Sequence, residues 1–129
     1  MAQLKNLPLE ARAEAVSREE LVQAALQEIT QNYREASLSN VARSYGVSLA
    51  YVSECVRAQT GKTYKELLQK HRMETAARLL RRSELNIQQI ISMVGYENTS
   101  YFYRLFHERY GLSPREYRMV RAARPRTTA

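Results

Sequence analysis

The side chains able to do covalent or redox chemistry are few: one Cys (Cys55), two His (His71 and His107), and thirteen acids that are all Glu. Without Asp a Ser-His-Asp relay cannot be assembled, neither histidine sits in a cluster with metal-ligand spacing, and no G-x-x-x-x-G-K phosphate loop occurs. Cys55 lies between Val52 and Val56, on the packing side of a helical pattern, and reads as a small buried hydrophobe rather than a redox thiol. Catalysis has no support, and no cofactor or metal is expected. The chemistry that remains is that of charge. Twenty Lys and Arg give a formal net charge of +7. The first 35 residues carry four basic and six acidic side chains, so residues 36–129 hold a net +9. An asymmetry of that size points to a polyanionic partner, either nucleic acid or an anionic membrane surface.

The elements that must position these charges are helical. Four Gly and three Pro in 129 residues are too few for a turn-rich β fold, and Glu without Asp is a helix-forming bias. The length allows one compact unit or two very small ones, which excludes an enzyme with separate cofactor and substrate domains. A lone Cys calls for no oxidising compartment, and neither an eighteen-residue apolar run nor a secretory signal is visible, so a cytoplasmic protein with no membrane association is expected.

Helix starts are marked by capping boxes at Ser17–Glu20, Thr63–Glu66 and Ser113–Glu116, with a weaker version at Asn86–Gln89. A stripe of Val22, Leu26, Ile29 and Tyr33 predicts a first helix over 18–35. A second, uninterrupted helix runs from Thr63 to Arg82 with Tyr64, Leu67, Leu68, Ala76, Leu79 and Leu80 as its apolar positions. Its roughly 19 residues make a rod of about 28 Å. The expected organisation is a flexible segment over 1–16, a first subdomain over 17–62, a linker helix over 63–82, a second subdomain over 83–122 and a basic tail over 123–129.

An internal repeat decides the reading. Leu38, Val41 and Gly46 recur as Ile87, Ile90 and Gly95 at an offset of 49; Val52, Val56, Gly61, Thr63 and Leu67 recur as Phe102, Phe106, Gly111, Ser113 and Tyr117 at an offset of 50. One residue is inserted just after the first Gly, in a turn. Each copy is a short amphipathic helix, a Gly-containing turn plugged by Val47 or Tyr96, and a second amphipathic helix, which is the helix-turn-helix pattern. Two copies in register around one helix are far more specific than one.

Residues 38–118 resemble the DNA-binding domain of AraC/XylS-type transcription regulators. The resemblance is carried by Gly95-Tyr96 followed by Ser100, Phe102, Arg104 and Phe106, then by Gly111, Ser113-Pro114 and Tyr117-Arg118, with Arg72, Ala76, Leu79 and Leu80 at the family's linker positions. It implies an all-α fold of about seven helices, with two helix-turn-helix subdomains joined by a long linker helix that enter successive major grooves. It also implies that Leu49, Ala50, Ser53 and Glu54 in one recognition helix, and Thr99, Ser100, Tyr103 and Arg104 in the other, face bases. Ser48, Arg57, Asn98 and Tyr101 are the implied phosphate contacts, with backbone amides near Leu38, Ser48 and Asn98 assisting. Arg104 has an alternative use in an intramolecular ion pair, Arg72 reads as a structural tether, and Lys62, Lys65, Arg81 and Arg82 read as phosphate contacts or a solvated face. The implied partners are double-stranded DNA and RNA polymerase. A major groove presents the same face every 34 to 36 Å, so one chain reading two segments is expected to bind as a monomer, unless a sensory or dimerisation domain is missing. Such domains in the family typically add about 150 residues, so the chain is either a small stand-alone regulator or a piece of a longer one. An alternative function is a helical protein-interaction module that has lost its base contacts, which Glu54, an acid at a position expected to be basic, keeps open.

The charge balance generates a first prediction. If about six phosphates are neutralised on binding, log affinity for duplex should fall with log salt at a slope near −5. Fluorescence anisotropy across a salt series measures it, and a slope near zero contradicts it.

Overall fold

The computed structural model describes residues 16–123, so the expected N-terminal segment and basic tail fall outside the described residues except at their inner edges. All regular structure among the described residues is helical: α1 Arg18–Gln31, α2 Leu38–Tyr45, α3 Leu49–Thr60, α4 Tyr64–Arg82, α5 Ile87–Met93, α6 Thr99–Tyr110 and α7 Pro114–Ala123. The chain divides into two compact units, one ending at Gln69 and the other beginning at Lys70, so the boundary falls within α4.

The first unit is built on α1, α2 and α3. Its core gathers Leu21, Val22, Ala25 and Ile29 from α1, Val41 and Ala42 from α2, and Val52, Cys55 and Val56 from α3. Cys55 is 1% exposed and fills a packing position. Val16, placed in the flexible segment by the sequence pattern, is buried instead. It precedes the Ser17 N-cap and joins Leu21 in the core, the arrangement of a hydrophobic staple. The predicted α1 is also four residues too long. Asn32 leaves helical geometry at φ −141° and ψ 41°, and its side-chain amide donates to Glu28 Oε1 at 3.0 Å. Tyr33 therefore lies outside the helix, and the buried stripe runs through Leu21 and Ala25, which the pattern passed over.

The second unit packs α5, α6 and α7 with the C-terminal part of α4. Met73, Ala76, Ala77 and Leu80 are its buried apolar α4 residues, with Thr75 buried beside them, whereas Leu79 is only half-buried. Phe102 and Phe106 of α6 are fully buried. The Phe106 ring centroid lies 4.6 Å from that of Tyr110 and 5.4 Å from that of Tyr117 on α7. Aromatic pairs at these separations add specific edge and face contacts to the area they bury.

Capping follows the sequence, with one reversal of rank. The Asn86–Gln89 version, weakest by residue type, closes both halves of its box: Gln89 N–H donates to Asn86 Oδ1 at 2.8 Å and Asn86 N–H to Gln89 Oε1 at 3.0 Å. Ser113 and Glu116 close theirs at 3.1 and 2.9 Å. The Glu116 carboxylate, accepting the Ser113 backbone N–H and aided by its hydroxyl, is held below the ordinary carboxylate pKa.

A pH prediction follows from that cap. A carboxyl whose folded pKa is depressed contributes stability above its unfolded value and loses it as pH falls through the folded one. An NMR titration should place Glu116 below the ordinary glutamate value, and Glu116→Gln should remove that part of the acid-side loss of α7.

Candidate nucleic-acid interface

The two helix-turn-helix copies are built the same way from different residues. In the first, Ser48 caps α3 by accepting the Tyr51 N–H at 3.1 Å; in the second, Asn98 caps α6 by accepting the Tyr101 N–H at 2.9 Å. The turns open with Gly46 at φ 65° and Gly95 at φ 102°, in the left-handed region where a side chain is strained. The next residue folds back in each: Val47 N–H donates to Ala42 O at 3.0 Å and Tyr96 N–H to Ile91 O at 3.1 Å. These bonds fix the inserted residue as Glu97, between the plug and the cap, where it lengthens the turn without disturbing either helix.

Burial of Val52 and Val56 in α3, and of Phe102 and Phe106 in α6, sets which face of each helix is open. Leu49, Ala50, Ser53, Glu54, Ser100 and Arg104 are exposed, and Thr99 and Tyr103 are half-buried. Leu49 is 48% exposed. Of the implied phosphate contacts, Ser48, Arg57 and Asn98 are exposed and Tyr101 is half-buried. The caps use the Ser48 and Asn98 side-chain oxygens only as acceptors, so the Ser48 hydroxyl proton and the Asn98 amide hydrogens stay available as donors to a phosphate.

The offset of 50 pairs Glu54 with Arg104, so one position on the two reading faces carries opposite charges. The units differ electrostatically as a whole. Residues 16–69 have six basic and six acidic side chains, and residues 70–123 have ten and five, a net +5. The excess positive charge therefore sits with the second copy.

That copy also carries an arrangement that the sequence reading missed. The Arg72 guanidinium lies 5.2 Å from the Tyr96 ring centroid, Tyr96 meets Tyr101 edge-on at 6.0 Å, and Arg104 lies 5.1 Å from the Tyr101 centroid. Burial raises the Tyr96 phenol pKa above its ordinary value, opposed by Arg72. Arg104 Nε is 3.9 Å from Glu108 Oε1, and Thr99 Oγ1 donates to Gln88 Oε1 at 3.4 Å. In the first copy the ring equivalent to Tyr101 is Tyr51, and its cation is Arg18, supplied at 5.7 Å by α1. The Arg104–Glu108 spacing of four was readable in the sequence, whereas the Arg18–Tyr51 and Gln88–Thr99 contacts join separate helices and left no local signal.

Other basic residues of the motif are structural. Arg118 donates from Nε to Leu80 O at 3.0 Å and from Nη2 to Ser83 O at 3.2 Å, closing the carbonyl end of α4. Arg81, which is exposed, donates from Nη1 to the Tyr117 hydroxyl at 2.6 Å and is so tied into the second unit. Among the described residues no group of three or more His, Cys, Asp or Glu could hold a metal, and no helix is long and apolar enough to cross a membrane.

Residues 41–119 match the model of a family described as a helix-turn-helix domain. The transcriptional activator NphR of Rhodococcus sp is 34% identical over 96 residues, which are 73% of this chain and 28% of that protein. The C-terminal domain of AraT, a response regulator from Geobacillus stearothermophilus, superposes with a TM-score of 0.74 at 36% identity, covering 83% of this chain and 90% of that one. The chain belongs to the AraC-type helix-turn-helix family. A further AraC-type fold, the DNA-binding domain of AdpA solved with a target DNA, has a TM-score of 0.72 over 83% of this chain and 97% of that one, at 22% identity. The chain spans about a third or less of the curated relatives it matches.

The two motif arginines of the second copy should separate experimentally. Arg118→Ala strips partners from two carbonyls and should cost about 1–3 kcal/mol of stability, seen as a lower midpoint in urea unfolding. Arg104→Ala, at a side chain 66% exposed, should leave that midpoint nearly unchanged.

Proposed function

We propose that this chain acts as a sequence-specific, double-stranded DNA-binding transcription regulator, and that it reads two successive major-groove segments with the N-terminal turns of α3 and α6. The observation that carries the reading is the repeat itself: two helix-turn-helix copies, each with its apolar side buried and its opposite side open. In this reading Arg104 forks onto guanine O6 and N7, Leu49 or Ala50 meets a thymine methyl, and Glu54 accepts from cytosine N4. Ser48, Arg57, Asn98 and Tyr101 border these contacts and meet phosphates. Because the two reading faces are charged oppositely at one position, the preferred site is nonpalindromic, and a single chain suffices to occupy it. Relatives named as activators support an activator that works beside RNA polymerase on cytoplasmic DNA.

Selection from a random duplex pool, followed by footprinting, tests the proposal. Two protected major-groove segments about one turn apart on one face, and one chain per minimal site, are expected. Failure to retard any duplex sinks it. Within the selected site, Arg104→Ala should cost about 1–3 kcal/mol of binding and relax preference at one or two base pairs. Glu54→Gln should raise nonspecific affinity while weakening discrimination at the α3 segment. An equal rise for every sequence means that Glu54 only repels DNA.

A further inference from the structure

The Arg104 side chain is not a loose cation on a helix surface. Tyr101, three residues before it, offers a ring face 5.1 Å away, and Glu108, four residues after it, brings a carboxylate oxygen to 3.9 Å from Nε. Arg104 and Glu108 remain 66% and 64% exposed, so both are open to a ligand. An exposed pair of this kind contributes little to folding. Its consequence lies in which nitrogen is engaged. A guanidinium attracted on its Nε side to a carboxylate and set over a ring keeps its two terminal amino groups for a ligand, and those are the pair whose spacing matches guanine O6 and N7.

We infer that Glu108 is a positioning residue for base recognition: with Tyr101 it holds the Arg104 fork in the orientation that suits guanine. The inference rests on the proposed reading of Arg104 as a base contact, and it adds a residue that touches no base itself. Two physical effects follow from one carboxylate. Holding a long side chain in its bound orientation lowers the entropy lost on binding, which favours the site where the fork is used. A negative charge beside the phosphate backbone disfavours every duplex, including those where the fork finds no partner. Both effects widen the gap between the preferred site and the rest.

The first copy supplies an internal comparison. At the equivalent positions it has Glu54 in place of Arg104 and Ala58 in place of Glu108. The carboxylate brace is thus present in the copy whose reader is an arginine and absent where the reader is itself an acid. Tyr51 keeps its ring, but the cation over it is Arg18 from α1, which leaves Glu54 without a comparable cradle.

The test compares four proteins, namely the unaltered chain, Glu108→Gln, Arg104→Ala and the double variant. Each is bound to a duplex selected by the unaltered chain and to a scrambled duplex of equal length and composition, with anisotropy as readout. Urea midpoints confirm that all four are folded. Glu108→Gln should weaken binding to the selected duplex about threefold, the scale of one exposed charge pair, while binding to the scrambled duplex stays level or rises. In the Arg104→Ala background the same change should leave discrimination untouched. A parallel rise on both duplexes overturns the inference by reducing Glu108 to a repulsive charge, and so does an effect on discrimination that persists without Arg104. If Arg104→Ala alone leaves discrimination unchanged, the base-contact reading itself fails, an outcome distinct from the failure of the brace.

Discussion

The burial of two apolar residues one turn apart on each recognition helix is the constraint on which the rest of the molecule depends. Val52 and Val56 in α3, and Phe102 and Phe106 in α6, are each at most 0% exposed. With those spacings fixed, the rotation of each helix about its axis is fixed as well, which leaves Ser53, Glu54 and Arg104 on open faces while Cys55 joins the core. The open faces are therefore a by-product of core packing. The anchors are hydrocarbon and aromatic, so moving either helix would return well-packed apolar area to water, at about 25 cal/mol per Å². The rigid presentation of the open faces comes from apolar contacts on their far side.

The two copies solve that problem with different materials. The first is filled by aliphatic side chains and Cys55, carries no net charge over residues 16–69, and exposes Leu49 and Glu54. The second is filled by an aromatic cluster, carries a net +5 over residues 70–123, and exposes Arg104. With its net positive charge, the second unit is the one a polyanion would attract more strongly at long range.

Arginines illustrate why residue type alone does not assign a role. Arg118 and Arg104 both belong to the family signature, yet one closes the carbonyl end of α4 and the other stands on an open face. The difference is the availability of unpaired carbonyls: a helix end that presents them recruits a guanidinium, and once recruited it cannot reach a phosphate without uncapping the helix. Arg72 and Arg81 are engaged in the same unit, over Tyr96 and with the Tyr117 hydroxyl. The binding charge of the second unit is accordingly smaller than its count of basic residues.

Local information wrote a large part of this molecule. Helix starts, the glycine turns, the inward residues of α3 and α6 and the repeat all depend on contacts within a few residues, so they could be read from spacing and cap chemistry, and the repeat carried the family. Boundaries without a strong local signal were misread: α1 stops at Gln31 because Asn32 turns back on Glu28, and Val16 is buried because it staples to Leu21. Ala25, Met73 and Ala77 were passed over because small or flexible side chains become core residues only when another helix arrives to cover them. The same limit governs the interface. Which arginines cap, which ring supports which guanidinium, and that Gln88 holds Thr99 are pairings between separate helices, and their energies exist only once tertiary structure brings the partners within a few ångströms.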